Sequence, residues 1–350
     1  MPTSKAGVKV EIVDLLGLIG QTSLYLSYEF TAPAVFFILS SNLTMKTSPL
    51  TLEEFANSVL AVPPLARHAD LSINMAANQQ LIRHIEAGGI TTLLYGGNAN
   101  MYHLPMHEYA PLLEMLAAAA GAQTRVIPAI GPDFGKMIEQ AQILKGTGYR
   151  TAMVLPMQGF TTPDGVADGI ERFVQVAGMP VTLYIKSEQY IDLERLQRLV
   201  ESQHILCVKY AVVRADTGQD PYLKEMIERI SSARIVSGMG ERPVLSHIGG
   251  WGLTSFTTGS GCLAPRACMD LLRALKAGDR ARAQGLYDAF MPLETLRDNV
   301  SLIRVLHDAV SWSGLADMGA QLPLLSATPA AMRVPVEAAA RSLLAFEAAR

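Results

Sequence analysis

The chain has 350 residues and a formal net charge of −3, with 49% apolar and 17% charged residues. This balance excludes a disordered chain, which combines low hydrophobicity with high net charge, and it suits a folded protein with a large buried core. No run of lysine and arginine stands out, so the basic footprint of a nucleic-acid-binding protein is absent.

Residues 1–44 differ from the rest of the chain, and residues 1–50 are interpreted as an N-terminal extension of uncertain order. The stretch Ser23 to Leu43 is apolar and aromatic, but Glu29 and Pro33 interrupt it, so it is a marginal candidate for a membrane-spanning helix. No signal-peptide cleavage site is evident. An extension that packs or is poorly ordered is the favoured interpretation, with a membrane or export segment as the alternative. We therefore expect no membrane association.

From residue 58 onward, short apolar runs alternate with longer amphipathic segments, which is typical of a parallel sheet connected by helices. The runs are nearly continuous in hydrophobicity, as strands covered on both faces are. Eight strands are predicted: Ser58–Val62, Thr91–Tyr95, Arg125–Ala129, Thr151–Leu155, Pro180–Ile185, Ile205–Ala211, Arg234–Ser237 and Gly252–Phe256.

Helical periodicity appears between these runs and again after the last one. Between the runs it predicts helices over Asn74–Glu86, Asp133–Lys145 and Leu193–Glu201, and after the eighth run over Pro265–Ala277, Arg280–Phe290, Leu296–Ser313 and Pro329–Ala348. We therefore predict an α/β fold, a (β/α)₈ TIM barrel over residues 51–277 with a C-terminal helical extension over residues 278–350. An open eight-stranded sheet is the alternative, although no glycine-rich dinucleotide fingerprint follows the first strand.

The sixth strand contains a lysine, Lys209, among apolar residues. Burial of an unpaired ammonium is unfavourable by several kcal/mol, and it lowers the pKa of the amine, which then becomes able to attack a carbonyl. A lysine that reaches solvent or pairs with an acid is the alternative. Lys209 is therefore a candidate nucleophile at the barrel mouth, where the carboxyl ends of the strands meet.

Further polar groups follow the neighbouring strands. Tyr184 near the end of the fifth strand could transfer protons, or it could be a core tyrosine with its hydroxyl bonded to backbone. Gly97 and Asn98, after the second strand, could hold a carboxylate through backbone and amide N–H groups, or form a simple turn. Thr254 in the eighth predicted strand is a further candidate for substrate binding.

No metal site or cofactor is expected. His103 and His107 are four residues apart, but Pro105 lies between them and no third ligand is evident. The three cysteines do not have the spacing of a zinc knuckle, and such a sparse count is typical of a reducing compartment, so we expect a cytoplasmic protein.

Taken in order along the chain, these signals resemble the dihydrodipicolinate synthase / N-acetylneuraminate lyase family over residues 58–330. The matching segments are Ser58–Pro63, Gly96–Asn100, Leu183-Tyr184, Val208-Lys209, Ser237-Gly238, Gly249–Gly252 and Leu322-Pro323. The resemblance implies a class I lyase in which Lys209 forms a Schiff base with pyruvate or another 2-oxo acid. It also implies that Tyr184 transfers protons, that Gly97 and Asn98 hold the carboxylate, and that the chain forms a homodimer or homotetramer.

The chain departs from this family at several positions. Gly97 stands where the synthase has a threonine whose hydroxyl belongs to a proton relay. Met157-Gln158 replaces a tyrosine pair, and Gln189 lies near the position of an arginine that binds the second substrate, an aldehyde. We therefore favour a divergent aldolase or dehydratase. The alternatives are a 4-hydroxy-tetrahydrodipicolinate synthase with a rebuilt relay, and a non-catalytic barrel that binds a 2-oxo or sugar acid.

Overall fold

The computed structural model describes residues 43–350, and within them eight parallel strands close into a barrel. Each strand pairs with the next along the chain, and the first pairs with the eighth. The strands are Leu60–Ala61 (β1), Thr92–Tyr95 (β2), Arg125–Ile130 (β3), Ala152–Val154 (β4), Val181–Ile185 (β5), Ile205–Tyr210 (β6), Ile235–Ser237 (β7) and Ser255–Thr258 (β8). The predicted barrel is confirmed, and the alternative of an open sheet is wrong.

Twelve helices lie along residues 43–350, together with five short 3-10 turns. The helices are Leu52–Asn57 (α1), Met75–Ala87 (α2), Met106–Ala119 (α3), Phe134–Leu144 (α4), Pro163–Ala177 (α5), Leu193–Glu201 (α6), Pro221–Ile230 (α7), Val244–His247 (α8), Pro265–Lys276 (α9), Arg280–Val300 (α10), Leu302–Trp312 (α11) and Arg333–Ala348 (α12).

Local sequence signals explain where several of these helices begin. The side chains of Asn74 and Asp133 accept hydrogen bonds from backbone N–H groups in the first turns of α2 and α4. Pro163 and Pro221 stand at the starts of α5 and α7, where a missing N–H group is harmless. The buried apolar residues of these four helices pack with the strands in one hydrophobic core.

Two of the C-terminal boundaries predicted from the sequence are wrong. The predicted break between Phe290 and Leu296 does not occur, because α10 continues through Pro292 to Val300. The chain breaks instead at Ser301, which is extended and accepts a hydrogen bond from the N–H group of Arg304 to begin α11.

The predicted N-terminal extension is described only from residue 43. Met45 is buried, and the backbone N–H groups of Thr44 and Met45 bond to the carbonyl of Ala117 at the end of α3. This part of the extension therefore packs on the barrel. The apolar stretch from Ser23 and the alternative of a membrane or export segment lie almost wholly outside the described residues.

A buried cluster of charged and hydroxyl groups joins the loops after β7 and β8 to α10. Glu241 accepts a hydrogen bond from Thr258, and Glu294 accepts one from Ser260. Arg297 pairs with Glu294, and both side chains are almost fully buried. The C-terminal helices are thus connected to the carboxyl end of the barrel by polar contacts as well as by apolar packing.

Candidate active site

The structure brings Lys209 and Tyr184 together at the carboxyl end of the barrel. Each is the penultimate residue of its strand, and the two are direct partners in the pairing of β5 with β6. The Lys209 Nζ lies 3.4 Å from the centroid of the Tyr184 ring. In (β/α)₈ barrels this end of the strands is where reactive groups lie. The amine therefore lies over the face of the Tyr184 ring, at the end of the barrel where reactive groups lie.

The environment of Lys209 favours the uncharged amine. Burial lowers the pKa of Lys209 from 10.5 to about 7, and the positive charge of Lys186 contributes to the lowering. Among residues 43–350, no carboxylate lies within 4.0 Å of Nζ, so no ion pair there holds the proton on the amine. Near neutral pH a large fraction of this amine carries a free lone pair.

Tyr184 is a protonated phenol in this site. Burial raises its pKa well above the usual range, and the neighbouring Tyr102 raises it further. A neutral phenol can both donate and accept a hydrogen bond, as a proton-transfer group must.

Gly97 and Asn98 open a 3-10 turn, Gly97–Ala99, that directly follows β2. Their backbone N–H groups are the first of the turn, and neither donates to another protein group in the part of the chain that the structure describes. The side-chain amide of Asn98 is already engaged, since its Nδ2 donates to the carbonyl of Val62 at 2.9 Å. The two backbone N–H groups, rather than the side chain, are free to receive an anion.

Thr254 does not join these residues. The predicted eighth strand begins at Gly252, but β8 begins only at Ser255 and ends at Thr258. The shift arises because the hydroxyl-bearing residues of β8 are buried as strand residues, with Ser255 donating to the carbonyl of Ser58. Thr254 precedes the strand, at the end away from the barrel mouth, so its assignment to substrate binding is not supported by its position.

Two further tyrosines, Tyr102 and Tyr190, lie near the site and are not predicted from the sequence. Tyr102 belongs to a second 3-10 turn, Met101–His103, and its ring approaches Gly97, since a Cβ at position 97 would lie 3.8 Å from the Tyr102 Cε2. Tyr190 is buried beyond the end of β5, and its pKa is raised by burial and by Tyr102. Neither carries a periodic signal in the sequence, because both lie on irregular loops.

The opposite end of the barrel holds a cavity of about 800 Å³. It lies near the amino-terminal ends of β4 to β7 and is lined in part by Tyr149, Gly178, Gln203 and Arg234. None of the candidate residues lines it. Its position marks it as distinct from the barrel mouth, where the amine lies.

Within residues 43–350, no group of three histidine, cysteine, aspartate or glutamate side chains is arranged to hold a metal ion. His103 ends the second 3-10 turn, and His107 lies in the first turn of α3. Of the helices in this part of the chain, none has the length and apolar character needed to cross a bilayer.

Comparison with known proteins agrees with the resemblance. The model of the dihydrodipicolinate synthetase family matches residues 57–340. The 4-hydroxy-tetrahydrodipicolinate synthase of Corynebacterium urealyticum is 25% identical over 280 residues, which cover 78% of this chain and 90% of that protein. A Rhizobium meliloti protein named "Probable 5-dehydro-4-deoxyglucarate dehydratase" is 21% identical over 282 residues, which cover 78% and 91% of the two chains.

A solved structure shows the same fold. The crystal structure of dihydrodipicolinate synthase from Oceanobacillus iheyensis superimposes with a TM-score of 0.73 at 17% identity, covering 83% of this chain and 97% of that chain. The family predicted from the order of motifs is thus confirmed over most of the described residues. The chain belongs to the dihydrodipicolinate synthetase family and is a lyase.

Proposed function

We propose that this protein is a class I lyase in which Lys209 forms a Schiff base with the ketone of pyruvate or another 2-oxo acid. The observation that carries the proposal is the environment of the amine. Lys209 is buried at the barrel mouth, its pKa is lowered to about 7, and the Tyr184 ring lies 3.4 Å from Nζ. A buried amine of this kind is a strong nucleophile toward carbonyl carbon.

The first step joins the amine nitrogen to the ketone carbon. The carbonyl oxygen takes one proton from the attacking amine and one from solvent, and leaves as water, so that an iminium ion forms. Tyr184 lies beside the nitrogen and passes these protons. The iminium then withdraws electrons from the adjacent carbon, which weakens a bond from that carbon to hydrogen or to another carbon.

The turn after β2 holds the carboxylate of the substrate. The N–H groups of Gly97 and Asn98 lie at the start of a 3-10 turn, and both residues are only half-buried. Paired N–H groups of this kind bind anions without a charged side chain. A 2-oxo acid bound there would present its ketone, which is adjacent to the carboxylate, to the amine across the mouth.

The second reactant differs from that of a dihydrodipicolinate synthase in this proposal. Gln158 and Gln189 are both exposed, and neither supplies the charge that would grip a second carboxylate. Relatives named as a synthase and as a dehydratase match this chain at similar identity. We favour an aldolase or dehydratase acting on a longer 2-oxo acid, with turnover of pyruvate and aspartate semialdehyde as the assay that would favour the synthase instead.

Borohydride trapping tests the proposal. Incubation with pyruvate and borohydride, followed by intact-mass measurement, should add one reduced pyruvate to the wild-type chain and none to Lys209→Ala. Lys186→Ala is the matched control, because Lys186 is an exposed lysine directly after β5. This variant should still be trapped. Tight binding of 2-oxo acids without trapping or turnover would instead support a non-catalytic binding protein.

The resemblance to the dihydrodipicolinate synthase / N-acetylneuraminate lyase family predicts a homodimer or homotetramer. Light scattering of the purified chain checks this prediction, and a monomeric mass at micromolar concentration would contradict it.

A further inference from the structure

Tyr102 is held in a fixed position by its turn. Asn100, with a φ of 57°, reverses the chain between the two 3-10 turns, and asparagine tolerates this left-handed conformation better than most residues. The Nζ of Lys136 on α4 approaches the carbonyls of Met101 and Tyr102 at 3.3 and 3.4 Å. The backbone of Tyr102 is therefore fixed from two sides.

The ring of Tyr102 approaches the position of the side chain that Gly97 lacks. A Cβ at position 97 would meet Tyr102 Cε2 at 3.8 Å, an ordinary van der Waals distance. At the preceding glycine the neighbour is different, since a Cβ at position 96 would lie 2.6 Å from the Met153 Cε. Gly96 thus makes room for a methionine, whereas the space beside Gly97 is bordered by a phenol.

The hydroxyl of Tyr102 points to the segment that follows β4. Its only hydrogen-bond partner within residues 43–350 is the carbonyl of Pro156 at 3.5 Å, the outer limit of a hydrogen bond. Val154 pairs with Leu183, so Pro156 follows β4 next to the end of β5 that carries Tyr184. The Tyr102 hydroxyl is therefore weakly held and lies on the side of the mouth that borders Tyr184.

The electrostatics of the two phenols agree with this placement. Burial raises the pKa of Tyr102 to about 12. Burial raises the pKa of Tyr184, and Tyr102 raises it further. Both are protonated at neutral pH, so each can donate one hydrogen bond and accept another.

We propose that Tyr102 relays protons between solvent and Tyr184, in place of a hydroxyl side chain at position 97. This inference rests on the proposed function. During imine formation, Tyr184 gives its proton to the departing oxygen and regains one from Tyr102, which is reprotonated by solvent. The reaction takes up one proton overall, and neither phenol is changed at its end.

The variant Tyr102→Phe removes the hydroxyl and keeps the ring. The rate of borohydride trapping with pyruvate should fall roughly tenfold to hundredfold, as should the rate at which the pyruvate methyl group exchanges with D₂O. The Kd of pyruvate, which depends on the N–H groups of Gly97 and Asn98, should change less than about threefold, within the range of a lost non-contacting group.

Two further variants separate the relay from a structural effect. Tyr149→Phe is the matched control, because its buried hydroxyl donates to Leu113 at 2.6 Å near the amino-terminal end of β4. It should keep wild-type rates. Adding Gly97→Thr to Tyr102→Phe places a hydroxyl beside the ring at position 102. This double variant should recover a large part of the lost rate.

If Tyr102→Phe fails to fold, a fluorinated tyrosine at position 102 takes its place, because this residue keeps the shape of the site. Fluorine lowers the pKa of the phenol, so the alkaline limb of the trapping rate should move to lower pH. Equal rates for wild type and Tyr102→Phe, or an unmoved alkaline limb with the fluorinated residue, would overturn the relay. An absence of trapping in wild type itself would instead overturn the proposed Schiff base.

Discussion

The burial of Lys209 lowers the pKa of its amine and destabilises the folded chain. A shift of its pKa from 10.5 to about 7 corresponds to roughly 5 kcal/mol, at about 1.36 kcal/mol per unit. The folded-state pKa of this base is lowered, so the unfolded chain binds the proton more tightly. The resulting destabilisation is complete below about pH 7 and fades as pH rises toward 10.5. The barrel maintains an unfavourable burial, and the amine gains nucleophilicity from it.

The pH dependence of trapping follows from this shift. The rate of borohydride trapping with pyruvate should rise with pH along a limb centred near 7 in the wild type, since only the neutral amine attacks. Lys186→Ala removes a positive charge that lowers the pKa of Lys209, so its limb should move to higher pH and its rate at pH 7 should fall.

Lys145→Ala supplies the control for charge alone, because Lys145 is an exposed lysine at the end of α4. Its profile should match the wild type. A wild-type limb near the usual lysine pKa, or identical profiles for all three proteins, would show that Lys209 is not the reacting amine in this buried environment.

At the scale of single elements, α10 contributes buried charge to the carboxyl end of the barrel. Burial raises the pKa of Glu241, and the negative charge of Glu294 raises it further. One carboxyl oxygen of Glu241, Oε2, has no hydrogen-bond partner among the described residues. The single guanidinium of Arg297 therefore faces two carboxyl groups, and the cluster favours one of them in its protonated form.

Glu241→Gln should make the protein more stable relative to wild type as pH rises. The native Glu241 carboxyl keeps a proton that the unfolded chain loses above the ordinary pKa of 4.5. The contribution of Glu241 to the free energy of unfolding therefore falls as pH rises toward the raised native pKa. Glutamine does not titrate. Urea unfolding at pH 5 and pH 8 measures the difference, with Glu139→Gln on the exposed face of α4 as control. A difference that is equal at both pH values would contradict a protonated Glu241.

The sequence predicts these elements unevenly. Helices with polar caps, such as the one that follows Asn74, are located to within about a residue, which is the usual precision of helix boundaries. The predicted eighth strand is displaced because Ser255, Thr257 and Thr258 are buried through hydrogen bonds and tertiary packing, which hydrophobicity does not report. Pro292 suggests a break, although the chain around it stays helical.

At the scale of the whole molecule, the C-terminal helices stabilise the barrel through particular polar contacts. The first residue of α9 follows Ala264, whose methyl side chain has no acceptor for the N–H groups at the start of the helix. Glu347 on α12 supplies the missing acceptor, because its carboxylate receives the N–H groups of Arg266 and Ala267 at 2.9 and 3.0 Å. A helix start in the barrel is thus capped by a residue about 80 positions later in the chain, as the separations of 81 and 80 residues show.

Glu347→Ala should lower the free energy of unfolding by about 1–2 kcal/mol, the usual effect of losing a helix cap. Urea unfolding followed by circular dichroism measures it. Glu337→Ala is the matched control, because Glu337 lies on the same helix and pairs with the exposed Arg341. If both variants lose the same free energy of unfolding, the loss in Glu347→Ala does not come from the missing cap on α9.

The fold and the neighbouring positions of Lys209 and Tyr184 could be predicted from the sequence, and the network around them could not. Eight apolar runs, with Lys209 and Tyr184 near the ends of neighbouring ones, are local patterns that are visible in the sequence alone. Tyr102, Glu294 and Glu347 act across long separations in the chain. No periodicity relates such positions, so only the closed barrel shows which of them meet.

The position of the trapped substrate on the chain tests directly whether Lys209 is the reacting amine. After reduction with borohydride in the presence of pyruvate, trypsin should fail to cleave at the modified lysine and should release residues 199–214 as one peptide, between Arg198 and Arg214. Tandem mass spectrometry should then place the adduct on Lys209. An adduct on Lys186, or none with pyruvate and several longer 2-oxo acids, would show that Lys209 does not form the Schiff base.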